Sequence, residues 1–179
     1  MATLELRTQV LTGILAASLA ALAFASYPLG AAAAIAAFLA AVLVVIAAID
    51  SASFRIPNRI VVPSTAIVLA ANIALSPGRA TEFVLATLLA GFALLIPNLI
   101  RSSWMGMGDV KLGMLLGAAL GWGVVGALEI AFISVLPVAL FIRLRGGRDA
   151  RSAVLPFGPF MAFGALVVLI VPRLAGIGG

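Results

Sequence analysis

The chain has 179 residues, 64% hydrophobic and only 9% charged, with a mean hydropathy of +1.29; a soluble domain typically carries about 25% charged residues, so a water-soluble class is excluded. The net charge of +5 is spread singly or in small groups between apolar stretches, which is a topology signal and not a nucleic-acid-binding face. Cysteine and histidine are both absent, which removes disulfides, thiolate metal sites, H-E-x-x-H zinc helices and histidine acid–base catalysis, leaving carboxylates, lysine, hydroxyls and backbone for any chemistry.

Apolar segments run from about Val10 to Ser26, Leu29 to Ile49, Ile60 to Leu75, Phe83 to Ile100, Val110 to Leu120, Val124 to Ile142 and Leu155 to Val171. The breaks hold turn or helix-end residues: Tyr27-Pro28, Pro57-Asn58, Ser76-Pro77-Gly78, Gly121-Trp122-Gly123, Gly146-Gly147 and Pro156. A bilayer-spanning helix needs roughly 20 apolar residues. The pattern predicts an all-α polytopic membrane protein of about seven transmembrane helices. It forms a single membrane-embedded domain over 1–179, with an accessory first helix at about 8–27 and a core over about 29–172.

The first segment loosely resembles a signal peptide, with Arg7 before an apolar run and Ala23-Phe24-Ala25 as a small-residue site, but Glu5 spoils the charged region. The second ends in Asp50, followed by Pro57, which ends that helix's reach, and Asn58, an expected N-cap for the third. The fifth is short and could merge with the sixth. Charge decides against this: seven helices place Arg7, Arg55, Arg59, Arg101, Lys111, Arg143, Arg145, Arg148 and Arg151 on one side and only Arg79 and Arg173 on the other. Merging would carry four of these arginines across, so the positive-inside rule favours seven helices with a cytoplasmic N-terminus.

Six acids occur. Glu5, Glu82 and Asp149 fall in expected tails or loops, where solvated charge is the simple reading. Glu129 lies within the sixth segment and reads as a structural or packing residue. Asn72 and Asn98 read as interhelical or helix-end hydrogen-bonding residues. Asp50 and Asp109 stand at membrane edges that the topology places on one cytoplasmic face. Residue chemistry alone leaves two readings of this pair. They are interfacial charges matched to Arg55 and Lys111, or converging carboxylates that share a proton and activate water for amide hydrolysis. Three features favour convergence. Asp109, Gly113, Gly117 and Gly121 form a four-residue stripe that lets another helix approach. Gly106 and Gly108 permit close backbone approach, and Pro57-Asn58 gives Asp50 a defined turn. Lys111 either balances the local negative charge or marks the cytoplasmic edge.

"GMGD" at 106–109 followed by Val110-Lys111-Leu112 resembles the GxGD motif of the type IV prepilin peptidases. Asp50 with "IPN" at 56–58 resembles that family's first catalytic aspartate segment, and "LPFGPFMAFGAL" at 155–166 resembles its Pro-Phe-Gly-Pro stretch. The resemblance implies an aspartic endopeptidase of the cytoplasmic membrane, with catalytic Asp50 and Asp109 facing the cytoplasm. Its substrates would be prepilin-like proteins with a short basic leader, usually ending in glycine, before an apolar helix. Membrane lipid would be its surroundings, and no metal or organic cofactor would be required. With such a substrate the flexible Gly106, Met107 and Gly108 would dock the extended segment; Lys111, Pro57 and Asn58 are expected to shape the site. Pro156, Phe157, Gly158 and Pro159 would form the opposite wall. Larger members add an N-terminal region, often with paired CxxC motifs, associated with methylating the new N-terminus. The lack of cysteine and the few residues before the first helix imply a short, peptidase-only form. Signal-peptide-peptidase-like enzymes place their first aspartate in a Tyr-Asp pattern, unlike Ile49-Asp50 here. The alternative from another class is a small transporter or assembly subunit whose acids bind a proton or cation.

Overall fold

The computed structural model describes residues 2–27, 30–100, 105–145 and 155–174; for 2–10, 142, 143, 145 and 172–174 it describes only the backbone. Expectations resting on Pro28, Arg101, Gly146, Gly147, Arg148, Asp149 and Arg151 lie outside these residues. Among the described residues seven helices follow in order: α1 (Ala2–Ala25), α2 (Ala31–Ser53), α3 (Asn58–Leu75), α4 (Ala80–Ile100), α5 (Met107–Leu120), α6 (Gly123–Arg145) and α7 (Gly158–Leu174), with a 3₁₀ turn at Pro77–Arg79. No strand occurs among the described residues.

Four of these helices are long and apolar enough to cross a membrane: Ala31–Ser53, Asn58–Leu75, Pro77–Ile100 with its leading turn, and Gly123–Phe141. Shorter apolar stretches lie at Leu11–Ala25 and Gly158–Val171. Large apolar side chains such as Leu88, Phe92, Ile133 and Leu136 face outward, a surface that suits lipid and not water. The chain is therefore an all-α membrane protein.

The short α5 is the centre of the bundle. Its 14 residues span about 21 Å, less than the roughly 30 Å apolar core of a bilayer. It lies against α3, α4, α6 and α7, and Leu112, Leu115 and Leu116 are wholly buried. Glycine makes the closest of these approaches possible. A Cβ on Gly113 would come 2.5 Å from Leu94, and one on Gly117 would run into the Ala86 carbonyl and lie 2.7 Å from the Thr87 Cα. The small-residue stripe thus faces α4, as expected. It ends at Gly121, whose φ of 55° breaks α5 from α6.

One end of the bundle is tied by polar contacts. The Asn72 amide on α3 donates to the carbonyls of Ala118 (2.9 Å) and Ala119 (3.3 Å) at the end of α5. Arg79 pairs with Glu82 through two bonds of 2.9 Å, and Glu82 accepts the Trp122 N–H at 3.2 Å. Glu82 is thus a tie between corners, not a free loop charge. At the opposite end Asn98, near the end of α4, donates to the Met105 carbonyl ahead of α5. Glu129 is exposed on α6 and makes no ion pair with another described residue.

Three boundaries differ from the sequence reading. Helix α2 continues to Ser53, beyond the expected end at Asp50, which sits within its last turn. Pro57, not Asn58, takes the N-cap position of α3 and supplies no side-chain cap, because Asn58 is already helical and its side chain is engaged elsewhere. Helix α7 starts at Gly158, since Pro156 and Phe157 hold the chain outside the helix.

Candidate active site

At the other end of the bundle α2 finishes while α3, α5 and α7 begin. Each helix start carries unsatisfied backbone N–H groups and partial positive charge, which favour anions placed there. Both aspartates use such a group. Asp50 is buried, 5% exposed, and its Oδ2 accepts the N–H of Gly158, the first residue of α7, at 2.9 Å. Asp109, the third residue of α5, accepts the N–H of Gly106 at 3.1 Å, half of a capping box whose other half needs a side chain that glycine lacks.

Between them opens a cleft of about 340 Å³. Asp50, Phe54, Arg55, Ile56 and Asn58 wall it from the α2–α3 side; Gly106, Met107, Gly108, Asp109 and Lys111 wall it from the α5 side. Two contacts join the walls. A Cβ on Gly108 would stand 2.8 Å from the Ile56 Cβ, so glycine lets the α2–α3 loop lie on the start of α5. Lys111 Nζ donates to Asn58 Oδ1 at 2.8 Å. Neither aspartate forms an ion pair among the described residues, where Arg79–Glu82 is the pair formed. Lys111 therefore serves the loop and not a carboxylate. Lys111→Met and Asn58→Ala are each expected to lower unfolding stability by less than about 1 kcal/mol, with the double variant no worse than either single. Additive losses in thermal unfolding would mean that the bond contributes nothing.

Asp109 lies outside the four helices of membrane length. Burial pushes its carboxyl up from 3.8 to about 6; the Gly106 N–H opposes this, and the negative charge of Asp50 adds to it. A carboxyl raised by the fold holds its proton more tightly in the native state, so stability falls as pH rises from about 4 to about 6 and stays reduced above. The shift corresponds to at most about 3 kcal/mol, at about 1.4 kcal/mol per pH unit. Asp109→Asn is expected to melt above the wild type at pH 7.5 and to lose that advantage near pH 4. Equal melting temperatures at both pH values would show that the carboxylate carries no such penalty.

The structure brings together Asp50, Asn58, Gly106, Met107, Gly108, Asp109 and Lys111. It leaves Pro57, Pro156, Phe157 and Pro159 off the cleft lining. The Phe157 ring packs on Phe132 with centroids 5.0 Å apart, and Pro159 borders a separate groove beside Thr12 and Ser51. The expected opposite wall is thus absent from the lining, and its glycine instead holds Asp50 from behind. Phe54 is missing from the sequence reading, which also gives Arg55 and Ile56 no place in the cleft lining. Phe54 ends α2 with φ 53° and ψ 33°, the only non-glycine positive φ among the described residues. Left-handed backbone costs an L-residue about 1–2 kcal/mol. Nothing in "SASFRIPN" announces it, since the usual signal for such an ending is glycine.

An all-helical membrane bundle that buries one carboxylate and half-buries another at a shared cleft is the setting in which a hydrolytic membrane enzyme is expected. The profile of the type IV leader peptidase family matches residues 37–143, more than half of the chain, and includes both Asp50 and Asp109. The chain belongs to that family and is a peptidase. No curated protein and no solved structure matches it.

Proposed function

We propose that this protein is a prepilin leader peptidase. It removes the leader of prepilin-like proteins at the cytoplasmic membrane face by water activation between Asp50 and Asp109. The observation that carries the reading is the shared cleft, where one carboxylate is held by the start of α7 and the other by the start of α5. With one proton between the pair, the ionised carboxylate takes a proton from water while the protonated one donates to the scissile carbonyl oxygen. The water oxygen bonds to the carbonyl carbon. On collapse the C–N bond breaks, the leaving amine takes up a proton, and the pair returns to its singly protonated state.

The cytoplasmic assignment rests on charge. Arg55, Arg59 and Lys111 lie at the cleft end together with the ends of the helices that carry Arg7, Arg143 and Arg145, against Arg79 and Arg173 at the other end. The substrate is a short basic leader ahead of an apolar helix, unwound at the cut so that its amides leave their helical hydrogen bonds and lie along Gly106–Gly108. The reading stops at proteolysis, since the cysteine pairs that accompany methylation in larger members are missing from these residues. Co-expression with such a substrate tests it. Mass spectrometry should show a product shortened at the leader only when the peptidase is present; an intact substrate would refute the reading.

A further inference from the structure

Glu129 sits where a carboxylate is least at home, on the lipid side of α6. It is exposed, and so are Val125 one turn before it, Ile133 one turn after it and Leu136 seven residues on. The opposite side of the helix, Val124, Ala127 and Ala131, is buried, with Gly164 of α7 against Ala127. Glu129 therefore points away from the bundle. It is also deep, about 9 Å along the axis from Gly123 and about a third of the way through the apolar span Gly123–Phe141. Placement leaves no cation of this chain at that depth. Arg143, the nearest basic residue on α6, is about 21 Å further along the axis, towards the cleft end. At the other end Arg79 is engaged by Glu82. Arg173 stands on the α7 backbone about 14 Å beyond Gly164, the level at which α7 meets Ala127 and Ala131. Ionisable groups inside a bilayer are costly, and they face protein and pair with one another. Glutamate is too short to reach the membrane edge as lysine and arginine do. A further protein surface must cover it.

We infer that this face of α6 is a dimer interface, at which Glu129 meets Glu129 of a second copy of the chain. Two copies inserted alike hold α6 parallel, so a two-fold axis along the membrane normal sets equivalent residues at equal depth. A carboxyl group that keeps its proton is donor and acceptor at once, so two of them satisfy each other. A different protein would have to carry a cation to this depth at its own cost. The second copy supplies the matching group by symmetry. Glu129 and Leu136 are seven residues apart, the repeat of a helix–helix seam, and a single polar residue in such a seam fixes its register. The interface stands apart from the proteolytic reading, since none of the described cleft residues belongs to α6.

The chain has no cysteine, so a single introduced one reports proximity between copies. Full-length Leu136→Cys, oxidised in membranes, should give a cross-linked dimer, whereas Leu88→Cys, exposed on α4, should not. Strength is read by energy transfer between donor- and acceptor-labelled copies in phosphatidylcholine vesicles of increasing lipid content. Glu129→Leu should weaken association about 5- to 30-fold. Glu129→Gln, whose amide also donates and accepts, should stay within about 3-fold of the wild type. Glu129→Lys should not associate with itself, because like charges would meet, but it should pair with the wild type. Equal association by the wild type and Glu129→Leu would overturn the inference, as would equal cross-linking of Leu88→Cys and Leu136→Cys. So would a monomeric wild type, or a mixture of wild type and Glu129→Lys that associates no better than Glu129→Lys alone.

Discussion

Asp50→Asn and Asp109→Asn are each expected to abolish leader removal, with rates down by about 1,000-fold or more. Asparagine keeps the shape and the acceptor oxygen, so the Gly158 and Gly106 N–H groups retain their partners. What disappears is the exchangeable proton. Without it a pair of carboxylates can no longer hold one acid and one base together. Because the two act as a unit, the double variant should be no slower than either single, a non-additivity that independent roles would not produce. The measurement is the fraction of a co-expressed leader-bearing substrate shortened at matched membrane levels of each variant. Normal processing by either single variant would sink the two-aspartate mechanism. A transporter would instead show proton-coupled flux and no cleavage product. The pH dependence provides a second arm. The wild-type kcat/KM should fall as pH rises through the region of about 6, where Asp109 loses its proton. In Asp50→Asn the titration of Asp109 should move downward, because the neighbouring negative charge that helps raise it is gone.

Much of this arrangement was legible in the residues. Long apolar runs broken by proline and glycine give helices in a bilayer with little ambiguity. The order of those helices fixes which ends lie together, so Asp50 and Asp109 could be placed on one face before any geometry. The glycine stripe of α5 was readable for the same reason, since repeated small residues have few other uses on an apolar helix. What could not be read was everything set by tertiary contact between irregular segments. The sequence offered Lys111 and Asn58 as separate polar residues, 53 positions apart, and only packing makes them partners. Asn58 looked like a cap by local propensity, but Pro57 took that place and freed the side chain for Lys111. Phe54 carried no local signal because its conformation runs against its propensity. Such conflicts between local preference and global fold gather at functional sites. The segment at 156–159 reads as a cleft wall from its residue types, whereas the backbone N–H that Gly158 donates to Asp50 is a tertiary contact that no side chain announces.

That donor leads to the sharpest test of site geometry. Gly158→Ala is expected to lower kcat/KM by about 10- to 100-fold while changing the unfolding temperature little. A Cβ at this position would stand 2.7 Å from Asp50 Oδ2, 3.1 Å from its Cγ and 3.2 Å from its Cβ. The glycine backbone is not in the left-handed region, so alanine brings no backbone strain of its own, and the α7 helix even gains propensity. The whole effect therefore falls on Asp50, whose short side chain must rotate or withdraw by several tenths of an ångström. Such a shift takes the carboxylate off the α7 helix start that stabilises its charge and changes its approach to the cleft shared with Asp109. Displacements of this size are known to cost catalysis far more than stability, because reacting groups must be aligned in the transition state while the fold needs only to be filled. Gly158→Ser should behave like alanine or worse, since its Cβ meets the same oxygen and its hydroxyl offers Asp50 a competing donor. If Gly158→Ala retains wild-type kcat/KM with an unchanged pH profile, then the start of α7 does not hold Asp50 in its working position, and the cleft must reach its active geometry by another route.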